Sequence, residues 1–269
     1  CKAFYLGGVI GSLSPTPVGT YSYEGLENNA EILLNGSPAV LAIKTGGAAG
    51  RNNTSRDDLT DANRIAVGGV AGRMLLTNAG ASISLKSCSN SGNMTAPEAG
   101  KIRYTAFGGV CGETIAADAQ ILECSNSGDI SVQRAYNDGT NLHLGGIVGF
   151  IPNKKFTTCS ISIVSGTNSG DISLSEINNT IQEARAGGIL GDIVSTDSRC
   201  LTLLIDKCVN RGDISRVSSK RFASQSLPAL SGAEHGPSMP ECRMSMRSSG
   251  TVRIMVPSSS MPARPKVPY

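Results

Sequence analysis

The sequence predicts an all-β chain, a parallel β-solenoid (β-helix) of about five repeats of roughly 40 residues, followed by a poorly packed C-terminal tail. Three observations carry this. A glycine motif recurs five times, an Asn-centred turn follows each copy, and apolar residues two apart precede the later turns.

The glycine motif reads Gly7-Gly8-Val9-Ile10-Gly11, Gly68-Gly69-Val70-Ala71-Gly72 and Gly108-Gly109-Val110-Cys111-Gly112. It returns as Gly145-Gly146-Ile147-Val148-Gly149 and Gly187-Gly188-Ile189-Leu190-Gly191. The turn motif is centred on Asn90, Asn126, Asn168 and Asn210, as in Cys124-Ser125-Asn126-Ser127-Gly128-Asp129-Ile130, with a worn copy at Asn28. First glycine and Asn are 21, 22, 18, 23 and 23 residues apart in the successive copies. Two landmarks that move together make repetition, not chance, the explanation.

Strands are read from apolar spacing. Five and seven residues before the motif Asn stand Leu85 and Ile83, Ile121 and Ala119, Ile163 and Ile161, and Ile205 and Leu203. Four residues after it comes Ile32, Met94, Ile130, Ile172 or Ile214. A period of two marks a strand with one buried face. Each Asn-x-Gly is expected to be a tight turn, its glycine free to take positive φ. A 40-residue unit is then read as two coils of about 20 residues, each rising by about 4.8 Å, with the Asn side chains in a ladder along the axis. One unit cannot bury its own apolar face, so stability is expected from stacking. The repeats span 1–215, with an insertion at about 36–60 whose run Arg51–Asp58 reads as a solvated loop.

Composition agrees. Thirty-two Gly, no Trp, 5 Phe and 6 Tyr suit thin layers of small apolar side chains between many turns. Residues 1–215 hold 16 basic and 19 acidic side chains, a net of −3, which gives no general reason to expect nucleic acid as a partner. No run approaches the ~18 apolar residues of a membrane span, so no insertion within this chain is expected. The chain starts without Met or a signal peptide, and Cys1 sits six residues before the first glycine motif, which reads as a fragment beginning mid-repeat rather than a lipid-bearing terminus.

The Gly-Gly-[Val/Ile]-x-Gly copies followed by Asn-x-Gly-[Asp/Asn]-[Ile/Met] resemble the GLUG motif repeats over roughly residues 3–215. These occur in secreted and surface proteins of bacteria, including large Bacteroidetes surface proteins and relatives of immunoglobulin A peptidases. The resemblance implies a non-catalytic stalk or adhesive module on the cell surface or outside the cell, with glycan or a host or cell-surface protein as partner. Any peptidase would lie elsewhere, and nothing here matches such a domain.

No catalytic, cofactor or metal residues are assigned. Cys88, Cys124 and Cys208 share a repeat position, but without a Cys-x-x-Cys pair zinc is not expected. With two coils per repeat, equivalent cysteines would lie about 9–10 Å apart, beyond disulfide reach, so they read as small core residues. His143, between Leu142 and Leu144, is expected to point outward from a strand. Asp57, Asp58 and Asp61 read as a solvated loop rather than a calcium site, lacking the EF-hand spacing. Asp129, Asp171 and Asp213 recur at one turn, as an acidic stripe or as turn chemistry. The alternative to a binding or structural module is a polysaccharide-active β-helix enzyme, which the shortage of aromatic sugar platforms disfavours.

Residues 216–269 differ from everything before them. They hold eight of the Lys and Arg against two acids, seven of twelve Pro, five of seven Met and no Asn. Two readings remain: a disordered basic linker, or a shift of reading frame near 216–222. Both predict little packed structure.

Overall fold

The computed structural model describes residues 3–34, 64–76, 78–96, 104–134, 141–153, 158–176, 183–195, 200–218, 244–246 and 252–255. Every regular element among them is a β-strand. The expected insertion, Cys1, the Asp57–Asp61 run and most of the tail lie outside the described residues.

Each repeat contributes five strands. The first supplies β1 (Ala3–Gly7), β2 (Ile10–Leu13), β3 (Thr20–Glu24), β4 (Glu27–Asn28) and β5 (Ile32–Leu33). The second supplies β6 (Arg64–Gly68), β7 (Ala71–Leu75), β8 (Ser82–Lys86), β9 (Ser89–Asn90) and β10 (Met94–Ala96). The third supplies β11 (Tyr104–Gly108), β12 (Cys111–Ile115), β13 (Asp118–Leu122), β14 (Ser125–Asn126) and β15 (Ile130–Arg134). The fourth supplies β16 (Asn141–Gly145), β17 (Val148–Asn153), β18 (Thr158–Val164), β19 (Thr167–Asn168) and β20 (Ile172–Glu176). The fifth supplies β21 (Glu183–Gly187), β22 (Leu190–Ser195), β23 (Cys200–Asp206), β24 (Val209–Asn210) and β25 (Ile214–Ser218).

Corresponding strands pair in parallel through all five repeats, as in the order β1-β6-β11-β16-β21, and the five resulting sheets close a β-solenoid. The register is the sequence repeat itself. Gly7, Gly68, Gly108, Gly145 and Gly187 are successive partners in one sheet. Asn28, Asn90, Asn126, Asn168 and Asn210 are successive partners in another.

One expectation is corrected here. A repeat is one coil, not two, because consecutive repeats are hydrogen-bonded neighbours with nothing between them. Among the described residues each coil has a perimeter of five short strands, of which apolar periodicity reveals only those with a clean buried face. Equivalent residues are therefore one strand spacing apart, about 4.8 Å.

Burial follows the expected alternation on β8, β13 and β18, where Ile83 and Leu85, Ala119 and Ile121, and Ile161 and Ile163 point inward. Two stacks of apolar side chains run along the axis. The larger contains these residues with Val110, Ile147, Cys88 and Cys124. The smaller contains Ile32, Met94, Ile130 and Ile172 together with Val67, Phe107, Leu142 and Leu144. Tail residues add an antiparallel hairpin, β26 (Met244–Met246) and β27 (Val252–Met255), whose second strand pairs with β23.

The corner three residues before each motif Asn is left-handed in every coil, with φ of 65° at Gly25 and 52°, 55°, 55° and 53° at Ser87, Glu123, Ser165 and Lys207. Only the first coil places glycine there. A left-handed L-residue costs about 1–2 kcal/mol, partly offset by the extra freedom glycine has when unfolded. Ser165→Gly is therefore expected to stabilise the stack by about 0.5–1 kcal/mol, read as a higher urea midpoint at unchanged m-value.

Candidate functional site

The motif glycines and asparagines meet inside each coil. A Cβ on Gly109 would lie 2.6 Å from the Asn126 Cβ and would collide with the Gly146 carbonyl of the next coil. Gly8, Gly69, Gly146 and Gly188 stand against Asn28, Asn90, Asn168 and Asn210 in the same way. The second glycine of each motif thus exists to admit the Asn, which is why the two landmarks travel together in the sequence. The first glycine, as at Gly68, Gly108 and Gly145, is pressed against the carbonyl of the residue three further on. The third faces the preceding coil: a Cβ on Gly112 would lie 2.7 Å from the Val67 nitrogen, and one on Gly149 2.7 Å from the Phe107 oxygen. Gly72 and Gly191 are crowded by Leu6 and Leu144 in turn.

The asparagines form the expected ladder. The Asn90 Nδ2 donates to the Asn126 Oδ1 at 2.7 Å, the Asn126 Nδ2 to the Asn168 Oδ1 at 2.8 Å, and the Asn168 Nδ2 to the Asn210 Oδ1 at 2.7 Å. The same Nδ2 atoms cap their own turns by donating to the carbonyls of Gly92, Gly128 and Gly170. Asn90, Asn126 and Asn168 are buried, so every polar atom of the amide needs its partner. The turn glycines do not have positive φ, contrary to expectation; Gly25 alone does among the described glycines. Gly128 and Gly170 are glycine because each lies on the carbonyl of its counterpart one coil earlier.

Asp129, Asp171 and Asp213 are exposed and serve the turns. The Asp171 amide donates to the Asp129 carboxylate at 2.9 Å, and the Asp213 amide to the Asp171 carboxylate at 2.8 Å.

The sequence did not announce a buried polar seam between the sheet of β1 and the sheet of β2. It is built from the middle residue of one strand and the residue just after the third glycine on the next. The Arg73 guanidinium lies over the Tyr5 ring, 4.6 Å from its centroid, and donates to the Tyr5 hydroxyl at 2.6 Å. Its Nε is 3.5 Å from Glu113. His143 stacks on Phe150 at 4.2 Å between centroids, with Nδ1 3.1 Å from the Asp192 carboxylate. Arg185 holds the other Asp192 oxygen at 2.5 Å.

His143 is therefore not directed outward to water, as its alternation with Leu142 and Leu144 suggested; it is 3% exposed. The alternation is correct, but its other face is covered by the adjoining sheet. Polar identity at the position after the third glycine (Arg73, Glu113, Asp192) was the available signal.

Burial raises the Asp192 carboxyl, but the hydrogen bonds and charges of His143 and Arg185 outweigh it and hold the group below the usual carboxylate range. A depressed carboxylate stabilises the fold fully above its unfolded pKa, about 4, and loses that contribution as pH falls through the folded value. Asp192→Asn should cost about 3 kcal/mol at pH 7, by stranding partly buried charge. Urea midpoints of variant and parent should converge on acidification; parallel curves down to pH 2 would remove Asp192 from this role.

Among the described residues no three of His, Cys, Asp and Glu gather as metal ligands, and no helix is long and apolar enough to cross a membrane. Compared with known proteins, the chain matches no family model, no curated protein and no solved structure at a significant level.

Proposed function

We propose that the chain is a non-catalytic repeat module of a bacterial surface or secreted protein, a stalk or adhesin of the GLUG type, presenting its flanks to glycan or to a host or cell-surface protein. The observation that carries this reading is where the recurring residues are used. The motif glycines and asparagines serve coil-to-coil stacking, and the outward-facing repeat positions include rows of small hydroxyls. Ser82 and Ser84 donate to Thr20 and Ser22 across neighbouring coils at 3.2 and 3.1 Å. Such rows repeat about every 4.8 Å along the axis, a spacing that favours many weak contacts to an extended ligand over one deep site.

The test is to immobilise the purified chain, pass mixed bacterial and host glycans and cell-surface proteins over it, and examine the eluate. Retention of a ligand class with its ends unchanged is expected. New reducing or unsaturated ends on pectins or other glycans would replace this reading with a polysaccharide-active β-helix. Retention of nothing would leave a spacer and remove the adhesive part of the proposal.

A further inference from the structure

We propose that Cys88 and Cys124 are a disulfide site that staples the second coil to the third when the chain folds in the presence of a small-molecule disulfide. The pair is bracketed by matched residues on both sides: Lys86 is the partner of Leu122, and Ser89 of Ser125. The Ser125 amide also donates to the Cys88 carbonyl at 2.9 Å. The two α-carbons are thus one strand spacing apart, about 4.8 Å, inside the 4.4–6.8 Å span that disulfides bridge.

Separating the coils by an intervening turn would put the pair out of reach. The one-coil repeat removes that obstacle. It also makes the pair selective among the described cysteines. Cys208 lies opposite Gly166, not opposite another cysteine, because Thr167 pairs with Val209. Cys111 stands between Ala71 and Val148, and Cys159 opposite Leu201.

The side chains face the same interior. Each thiol donates to the carbonyl two residues before it, Cys88 to Lys86 and Cys124 to Leu122, both at 3.3 Å. In the closed coil the neighbouring Cys124 draws the Cys88 thiol down, while the same proximity and burial push Cys124 up. The thiolate is the species that attacks a disulfide, and before the coils close either cysteine can supply it, Cys88 first or Cys124 first.

With oxidised glutathione as oxidant, the Cys88 thiolate attacks one of its sulfurs and expels a glutathione thiolate. Cys124 gives up its proton and attacks the Cys88 sulfur of the mixed disulfide, expelling the second glutathione thiolate. One S–S bond breaks in the small molecule and one forms in the protein; two electrons pass to glutathione, and the two thiol protons end on the two released molecules. Both cysteines are at most 1% exposed, so the exchange belongs to folding, before the coils close.

The experiment refolds the full chain from denaturant in mixed oxidised and reduced glutathione, and in parallel under reductant alone. Unreacted thiols are then alkylated in denaturant, and peptides are mapped without reduction. The expected result is a peptide pair joined through Cys88 and Cys124, about 2 Da lighter than the sum of its thiol forms, with a higher Tm than the reduced sample. Cys88→Ser should leave Cys124 alkylated. Full alkylation of both residues in oxidatively refolded protein with an unchanged far-UV spectrum would overturn the proposal. A stable glutathione adduct on either, or their pairing with other cysteines, would overturn it equally.

Discussion

Gly109→Ala is expected to break the solenoid between its third and fourth coils. The new methyl would occupy the space of the Gly146 carbonyl, backbone of the next coil, and of the Asn126 side chain, part of the ladder, and neither can swing away. Relief requires either opening the parallel hydrogen bonds that join Gly108 to Gly145 or expelling a buried Asn. Each is among the rare mechanisms that exceed about 4 kcal/mol, a large part of the stability of a domain this size. Far-UV dichroism and urea unfolding should show a partly folded chain or a much lower midpoint. Gly80→Ala is the control, since its Cβ would meet only a Val18 methyl at 3.5 Å and should change the midpoint little. Equal midpoints for the two variants would mean that the glycine–asparagine contact does not hold the coils together.

Asn126→Asp is the second large effect, and its pH dependence is the diagnostic. The Asn126 amide accepts from Asn90 and donates to Asn168 and to the Gly128 carbonyl, so it uses both ends at once. A carboxylate still accepts from Asn90 but cannot donate. It would set negative oxygens against the acceptors of Asn168 and Gly128 in a site that is 1% exposed. Two buried acceptors lose their donors, at about 1–3 kcal/mol each, so about 4 kcal/mol is expected at pH 7. Burial raises the introduced carboxyl above its unfolded value. Protonation on acidification restores one donor, so the variant should recover relative to the parent as pH falls, opposite to the convergence expected for Asp192→Asn only in its cause. Asn126→Ala should lose a similar amount with no such recovery. A variant that unfolds at the parent's midpoint across the pH range would show the ladder to be a geometric accident.

The period, the ladder and the inward-facing residues were legible because each repeats. Leu85, Ile121 and Ile163 occupy one position in three repeats, and an apolar side chain that recurs at fixed spacing declares its environment without coordinates. The motif glycines were legible as landmarks but not as partners. Nothing along the chain says that Gly109 touches Asn126, 17 positions away, until the coil closes. The αL corners at Ser87, Glu123, Ser165 and Lys207 carried no signal, since three different residue types fill them in one strained conformation and only Gly25 matched it.

What the sequence determined by itself was the class of fold, the identity of the repeat and the existence of an axial Asn stack, because these depend on periodicity and local turn chemistry. The tertiary structure alone decided that a repeat is one coil, that His143 and Asp192 are buried together and that Cys88 lies beside Cys124. All three depend on how many short strands complete the perimeter. That number is set by where backbone hydrogen bonds can continue from one coil to the next. Two-residue strands such as Glu27–Asn28 and Ser89–Asn90 are too short to show any period, yet each closes one side of the coil.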